Sequence, residues 1–211
     1  MKKALFVLLL TAVATTTVAQ ESKNVYNFLS LTASAHASAL GGENISLVED
    51  DEALIFHNPA LLSTVSDKTI NLNYMNYMAG ANMLSAAFNR VIKERASAAV
   101  SALYIDYGKM KQTTAENQQL GEFSAKDIAL SGYFSYLLTD QLAGGITAKF
   151  ITSYIGGYNS LAMGVDLGLN YYDAERELSL SFVAKNLGGQ LKSYDDTYES
   201  MPLDVQIGIS K

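Results

Sequence analysis

LAMGVDLGLNY, residues 161–171, alternates without a break. Leu161, Met163, Val165, Leu167, Leu169 and Tyr171 fall on one side of an extended chain, and Ala162, Gly164, Asp166, Gly168 and Asn170 on the other. A period of two over this length is the signature of a β-strand with one greasy and one polar face. Six apolar side chains in a row, ending in a tyrosine, must face something apolar, and Asp166 and Asn170 must face something else.

The same period runs outward in both directions. Leu178, Leu180, Phe182 and Ala184 oppose Ser179, Ser181 and Lys185, and Leu203, Val205, Ile207 and Ile209 oppose Asp204, Gln206, Gly208 and Ser210. Upstream, Ile146, Ala148 and Phe150 oppose Gly145, Thr147 and Lys149, while Ile128, Leu130, Phe134 and Tyr136 share a face. Weaker alternation covers Ala98 to Tyr104, Leu84 to Phe88 and Ile70 to Tyr74. The pattern predicts eight strands of roughly nine to thirteen residues, in an all-β antiparallel fold. Short turns are expected at Thr139–Gln141 and Asp173–Glu177, and longer loops at Gly108–Gly121, Gly156–Ser160 and Leu187–Pro202.

Strands of this length suit a transmembrane barrel, at ~9–11 residues per crossing, better than a soluble sandwich at ~5–6. Glycines gather on the polar face, and Lys149, Asp166, Asn170 and Lys185 suit a lumen better than lipid. A secreted sandwich or lipocalin-like barrel, with the apolar face inward, has the same periodicity. Period alone leaves both open.

The stretch SALGGENISLVEDDEALIFHNPALL, residues 38–62, precedes the strands. Asn58 followed by Pro59 reads as a helix start, an N-cap and a favoured first helical residue. The acidic run Glu49, Asp50, Asp51 and Glu52 stands before another short turn at Ala53–His57, where negative charge suits a helix N-terminus. A solvated or capping role for these acids outweighs Ca²⁺ binding, because the alternating ligands, central glycine and distal Glu of an EF-hand loop are missing.

Met1-Lys2-Lys3, the apolar run Ala4–Leu10 and Thr17-Val18-Ala19 spell an export leader, expected to be removed after Ala19. The 211 residues carry 15 Lys and Arg against 21 Asp and Glu, a net of −6, and losing Lys2 and Lys3 deepens this to −8. Without a basic stripe, nucleic acid is not an expected partner. The chain has no cysteine, so disulfides and thiolate metal sites are excluded. Its two histidines, His36 and His57, have neither nucleophile nor ligand spacing around them. No hydrolase, zincin, Walker or dinucleotide motif occurs, and no catalytic residue, metal or cofactor is expected.

Ala39-Leu40-Gly41-Gly42, Val48-Glu49-Asp50-Asp51 and Asn58-Pro59-Ala60-Leu61-Leu62 together are similar to the N-terminal signature of the PorV/PorQ family of FadL-like outer-membrane proteins. Thr147-Ala148-Lys149-Phe150, Val165-Asp166-Leu167-Gly168, Lys185-Asn186-Leu187-Gly188 and Leu203–Ser210 extend the resemblance across most of the chain. It implies a fourteen-stranded FadL-like outer-membrane β-barrel with an N-terminal hatch. The division implied is a signal peptide at 1–19, a hatch at 20–67 and a partial barrel at 68–211. In the hatch Gly41, Gly42, Asp50, Asp51, Asn58 and Pro59 would be structural, and Lys149, Asp166, Asn170 and Lys185 would face it from the wall.

The resemblance also implies a non-enzymatic role in type IX secretion, docking a PorZ-like surface protein of the attachment complex in outer-membrane lipid. A FadL-like conduit for hydrophobic small molecules and a secreted ligand-binding β-domain are the other readings. Eight strands fall short of fourteen, and Ser210-Lys211 lacks a terminal aromatic. The expectation is a barrel truncated to about eight strands, because an eight-stranded barrel has no lumen for a hatch.

Overall fold

The structure, a computed structural model, describes residues 24–211. The leader at 1–19 and the first residues assigned to the hatch lie outside the described residues.

Each expected strand forms. They are β1 (Ile70–Asn76), β2 (Asn82–Lys93), β3 (Ala96–Thr113), β4 (Gln119–Leu137), β5 (Leu142–Ile155), β6 (Tyr158–Asp173), β7 (Leu178–Lys192) and β8 (Asp204–Ser210). They make one antiparallel sheet in sequence order. Among the described residues the sheet does not close on itself, because β1 pairs only with β2 and β8 only with β7.

Several boundaries differ from the expectation. Most of the loop expected at Gly108–Gly121 is strand: β3 and β4 continue as a paired ribbon, and only Thr114–Gln118 turns. The connection at Gly156–Ser160 narrows to Gly156–Gly157, and β7 runs on to Lys192 before its loop. β3, β4 and β6 span 18, 19 and 16 residues, longer than the expected nine to thirteen. Where both faces of a ribbon are wet, polar residues are tolerated at every position, so the apolar period that marks a strand disappears while its hydrogen bonds persist.

The two faces of the sheet differ sharply. On one, Leu72, Phe88, Val100, Leu130, Phe134, Phe150, Met163, Leu167, Leu169, Phe182 and Ile207 stand exposed, Ile207 by 85% and Leu72 by 74%. The other face is covered by residues 24–69, an irregular segment of short turns. These include a 3-10 turn at Asn27–Ser30, the helix α1 at Ala35–Ala39, and 3-10 turns at Glu52–Phe56 and Pro59–Thr64. Ser34 caps α1, its Oγ accepting the Ala37 N–H at 3.1 Å. Asp51 caps the turn at Glu52 in the same way, and Asn58 the turn at Pro59.

The apolar core lies between this segment and the covered face. Val25, Tyr26 and Phe28 pack with Met83, Leu103, Ile105, Ala129, Ile151 and Met201. Ile55, Leu62 and Val65 meet Ala87, Ala99 and Tyr133. The covered face carries small residues such as Ala87, Ala99, Ala129, Ala143 and Ala162, which let the segment's larger side chains reach the strands.

Candidate functional site

Asn58-Pro59-Ala60 sits in a slot cut into the covered face. Gly145 of β5 and Gly168 of β6 are register partners, and a side chain on either would collide with this tripeptide. A Cβ on Gly145 would overlap the Pro59 backbone, and one on Gly168 would overlap the Asn58 side chain and come within 2.9 Å of Pro59 Cδ. Gly208 of β8 performs the same service for Ile45, whose Cγ1 lies 2.6 Å from where a Cβ would be.

Asn58 is fully buried and fully employed. Its Oδ1 accepts the Ala60 N–H at 2.9 Å and its Nδ2 donates to the Ile45 carbonyl at 2.8 Å. Longer contacts at 3.4 Å reach the Leu169 carbonyl and Ser181 Oγ. Ser135 Oγ donates to the Ala60 carbonyl, and Ser85 Oγ to that of Ala33. The covered face therefore meets the segment's backbone with hydroxyls and amides, as a buried irregular chain requires.

A charged cluster joins the two parts beside this slot. Lys185 Nζ donates to both oxygens of Glu43, at 2.7 and 2.8 Å, and stands 3.5 Å from Asp204. His57 Nδ1 lies 3.5 Å from Glu43 Oε2. Burial opposes ionisation of Glu43, but His57 and Lys185 outweigh it and hold the carboxyl down at about 2. Lys149 Nζ meets Asp166 Oδ2 at 2.7 Å and donates to Asn186 Oδ1 at 2.9 Å. Asp166 in turn accepts the Asn186 N–H at 2.8 Å, at a bulge where β7 slips register against β6 and Asn186 takes φ +61°. Lys149, Asp166, Lys185 and Asn186 are buried and each is partnered, the condition under which charges are tolerated away from water, while Glu43 and Asp204 keep part of their surface exposed.

The sequence-assigned residues fall as follows. Lys149, Asp166, Asn170 and Lys185 are buried on the covered face, Asn170 donating to Ser179 and Ser181 at 2.8 Å. Gly41 and Gly42 adopt φ of +101° and +111° directly after α1, where a side chain would be strained. Asp50 accepts the Ser66 N–H at 2.7 Å and also bonds its hydroxyl, which lowers the Asp50 pKa. Asp51 caps Ala53 and binds His36 Nδ1 at 2.8 Å, a hydrogen bond that raises the imidazole pKa. Asn58 and Pro59 begin a turn as expected, of 3-10 rather than α type.

Sequence reasoning missed Glu43, Asn186 and Glu52. The sequence places Glu52 with its neighbours in a solvated or capping cluster, yet it is 1% exposed and neither carboxyl oxygen has a side-chain partner. Burial pushes it up to about 7. The available signal is the three-residue spacing from Glu52 to Ile55 at a 3-10 turn, which turns both inward on one face.

Between the segment and β3–β5 a cavity of about 30 Å³ remains, lined by Glu43, His57, Tyr133 and Lys149 among apolar neighbours. It has room for a water or two. Among the described residues no three His, Cys, Asp or Glu side chains are grouped as a metal ion would need. No helix among them is long and apolar enough to cross a membrane, which leaves strands untested in that respect. No protein-family model matches the chain, and no curated protein matches it.

Proposed function

We propose that this sheet is the wall of an outer-membrane β-barrel, that residues 24–67 are its fixed hatch, and that the protein docks a surface partner rather than catalysing a reaction. The observation that carries the reading is the inverted distribution of polarity. Leu167 and Leu169 lie exposed while Asp166 and Asn170, which flank them, are buried. A soluble β protein buries the first set and exposes the second.

The height of the bare face agrees with a bilayer. Exposed Tyr136 pairs with Gly144 at one end of β5, and exposed Tyr154 stands near the other end. Ten residues of strand cover roughly 33 Å, and a tilt of about 45° reduces this to roughly 23 Å, against an apolar band of ~25 Å. The short connections Glu94–Arg95, Leu138–Gln141 and Ala174–Glu177 all fall at one end of the sheet, and the β3–β4 ribbon and the 193–203 loop at the other. In lipid the outer edges of β1 and β8 require neighbouring strands.

Docking is favoured over conduction because the segment fills its side of the sheet. A cavity of about 30 Å³ does not admit a lipid-sized molecule between them. On the resemblance to the PorV/PorQ family, the partner would be a PorZ-like protein of the type IX attachment complex. The test is to fractionate cells expressing the full chain, wash the membranes with alkaline carbonate, and identify what co-purifies from detergent. Retention in the outer membrane together with a surface component of secretion supports the proposal. Release by carbonate refutes the membrane wall, and a co-purifying hydrophobic small molecule without protein refutes docking in favour of transport.

A further inference from the structure

The ribbon formed by the far ends of β3 and β4 stands clear of the sheet, and its two edges are not alike. β4 pairs with β5 only from Ala125, opposite Ile155, where β5 turns away through Gly156–Gly157. Residues Gln119–Ser124 of β4 therefore have β3 on one side and, among the described residues, no strand on the other. The last bond of that ladder runs from the Gly156 N–H to the Ser124 carbonyl at 2.9 Å. Main-chain groups alternate sides along a strand, so Glu122 turns both its N–H and its carbonyl toward the vacant side.

A groove of about 700 Å³ occupies that vacancy, lined by Lys109, Glu122, Phe123, Ser124, Ile155 and Tyr158 with neighbouring glycines. The register gives its two flanks opposite character. Phe123, Ile155 and Tyr158 continue the face that the N-terminal segment covers lower down, and Tyr158 is 64% exposed. Lys109 pairs with Ser124 and Lys111 with Glu122, which puts both lysines on the bare-face side with Lys126. That flank has three lysines against two acids, Asp106 opposite Lys126 and Glu122 3.5 Å from Lys109, a net positive patch in a chain of net charge −6.

The opposite edge of the ribbon is guarded. β3 loses its pairing with β2 beyond Asp106, and a register break follows at once between Asp106 and Lys109. A bulge with lysines at Lys109 and Lys111 is how sheets discourage strand addition. The β4 edge is regular from Gly121 to Ser124, its own register break lying further out, between Gly121 and Gln119.

We propose that the β4 edge at Gly121–Ser124 binds an extended segment of the partner protein as an added antiparallel strand. The segment occupies the place β5 would hold had it continued. Its side chains alternate, apolar toward Phe123, Ile155 and Tyr158, and acidic toward Lys109, Lys111 and Lys126. Main-chain bonds supply affinity and the two flanks supply register, as in other β-augmentation sites. This deepens the docking reading and rests on it for the existence of a partner.

The test uses the full chain in detergent and a fluorescein-labelled eight-residue peptide alternating valine and aspartate, read by anisotropy. Saturable binding below about 1 mM is expected, in the range a short unoptimised strand reaches. Methylating alternate amides of the peptide, on the face that meets Glu122, should weaken binding at least tenfold, and so should replacing aspartate by lysine. Glu122→Pro, which removes the free N–H, should do the same, with the melting transition reporting that the sheet is intact. Absence of saturable binding by the valine–aspartate peptide overturns the proposal. Equal binding of the N-methylated peptide overturns it too, whatever Glu122→Pro does to folding. Recovery of a surface partner from membranes by both wild type and Glu122→Pro rejects the edge and keeps docking; recovery by neither rejects docking as well.

Discussion

Gly168→Ala should loosen the hatch while leaving the sheet intact. The added methyl would overlap Asn58 Oδ1 and come within 2.9 Å of Pro59 Cδ and 3.1 Å of Pro59 Cγ. None of these atoms is the free end of a flexible chain. Asn58 is held by two short hydrogen bonds, and Pro59 is locked in its ring. Overpacking of this kind costs about 1–3 kcal/mol, and displacing Asn58 adds about 1–3 kcal/mol for buried polar groups left unpaired. The sum, about 2–6 kcal/mol, falls on the opening of the segment and not on the strands. It corresponds to roughly 30-fold to more than 10⁴-fold greater opening. Hydrogen exchange in detergent reads this directly: amides of Leu61, Leu62 and Val65 should lose protection, while those of Leu130 and Phe150 keep theirs. Gly132→Ala is the control, because nothing lies within 4 Å of a Cβ there. Unchanged protection of Leu61 and Leu62 in Gly168→Ala would refute the idea that the glycine slot seats the segment.

Glu52→Gln should stabilise the protein at alkaline pH. A carboxyl raised from 4.5 to about 7 imposes no penalty below 4.5, when folded and unfolded states both hold the proton. As pH climbs from 4.5 to 7 the unfolded state ionises first, and stability falls by about 3 kcal/mol, then levels off. Denaturation midpoints at pH 5 and pH 8 should converge in Glu52→Gln; equal midpoints in wild type would exclude the effect. Glu43 behaves oppositely: its depressed carboxyl contributes above pH 4.5 and is lost as pH falls toward about 2. Proteolysis of the segment should therefore rise below pH 4 in wild type, and Glu43→Gln should show that sensitivity already at neutral pH. Lys185→Met leaves Glu43 without its lysine and should expose the segment to protease at neutral pH, by about 1.5–3 kcal/mol, with the difference from wild type vanishing as Glu43 is protonated toward pH 2. On the bare face, Leu167→Arg should cost ~2–4 kcal/mol of insertion at mid-bilayer. Refolding into vesicles measures it, and an unimpaired Leu167→Arg would contradict the lipid-facing assignment.

The sequence alone determined the β class, the count of eight strands and which residues share a face. Each rests on a period of two, which the backbone imposes locally whatever the strand packs against. The turn at Asn58-Pro59 was legible for the same reason, since a cap and a proline act on their own neighbours. Only the tertiary structure decided which face is covered, because Met163 and Asp166 alternate identically in either orientation. It also decided that Glu43 reaches Lys185 across 142 residues, that Gly145 and Gly168 meet to form a slot, and that Glu52 is buried. These depend on register between distant strands and on close approach of two backbones, and no local pattern encodes either. The ribbon at Gly108–Gly121 was read as a loop for the complementary reason: its hydrogen bonds hold it extended, but with water on both sides its side chains had no apolar face to display.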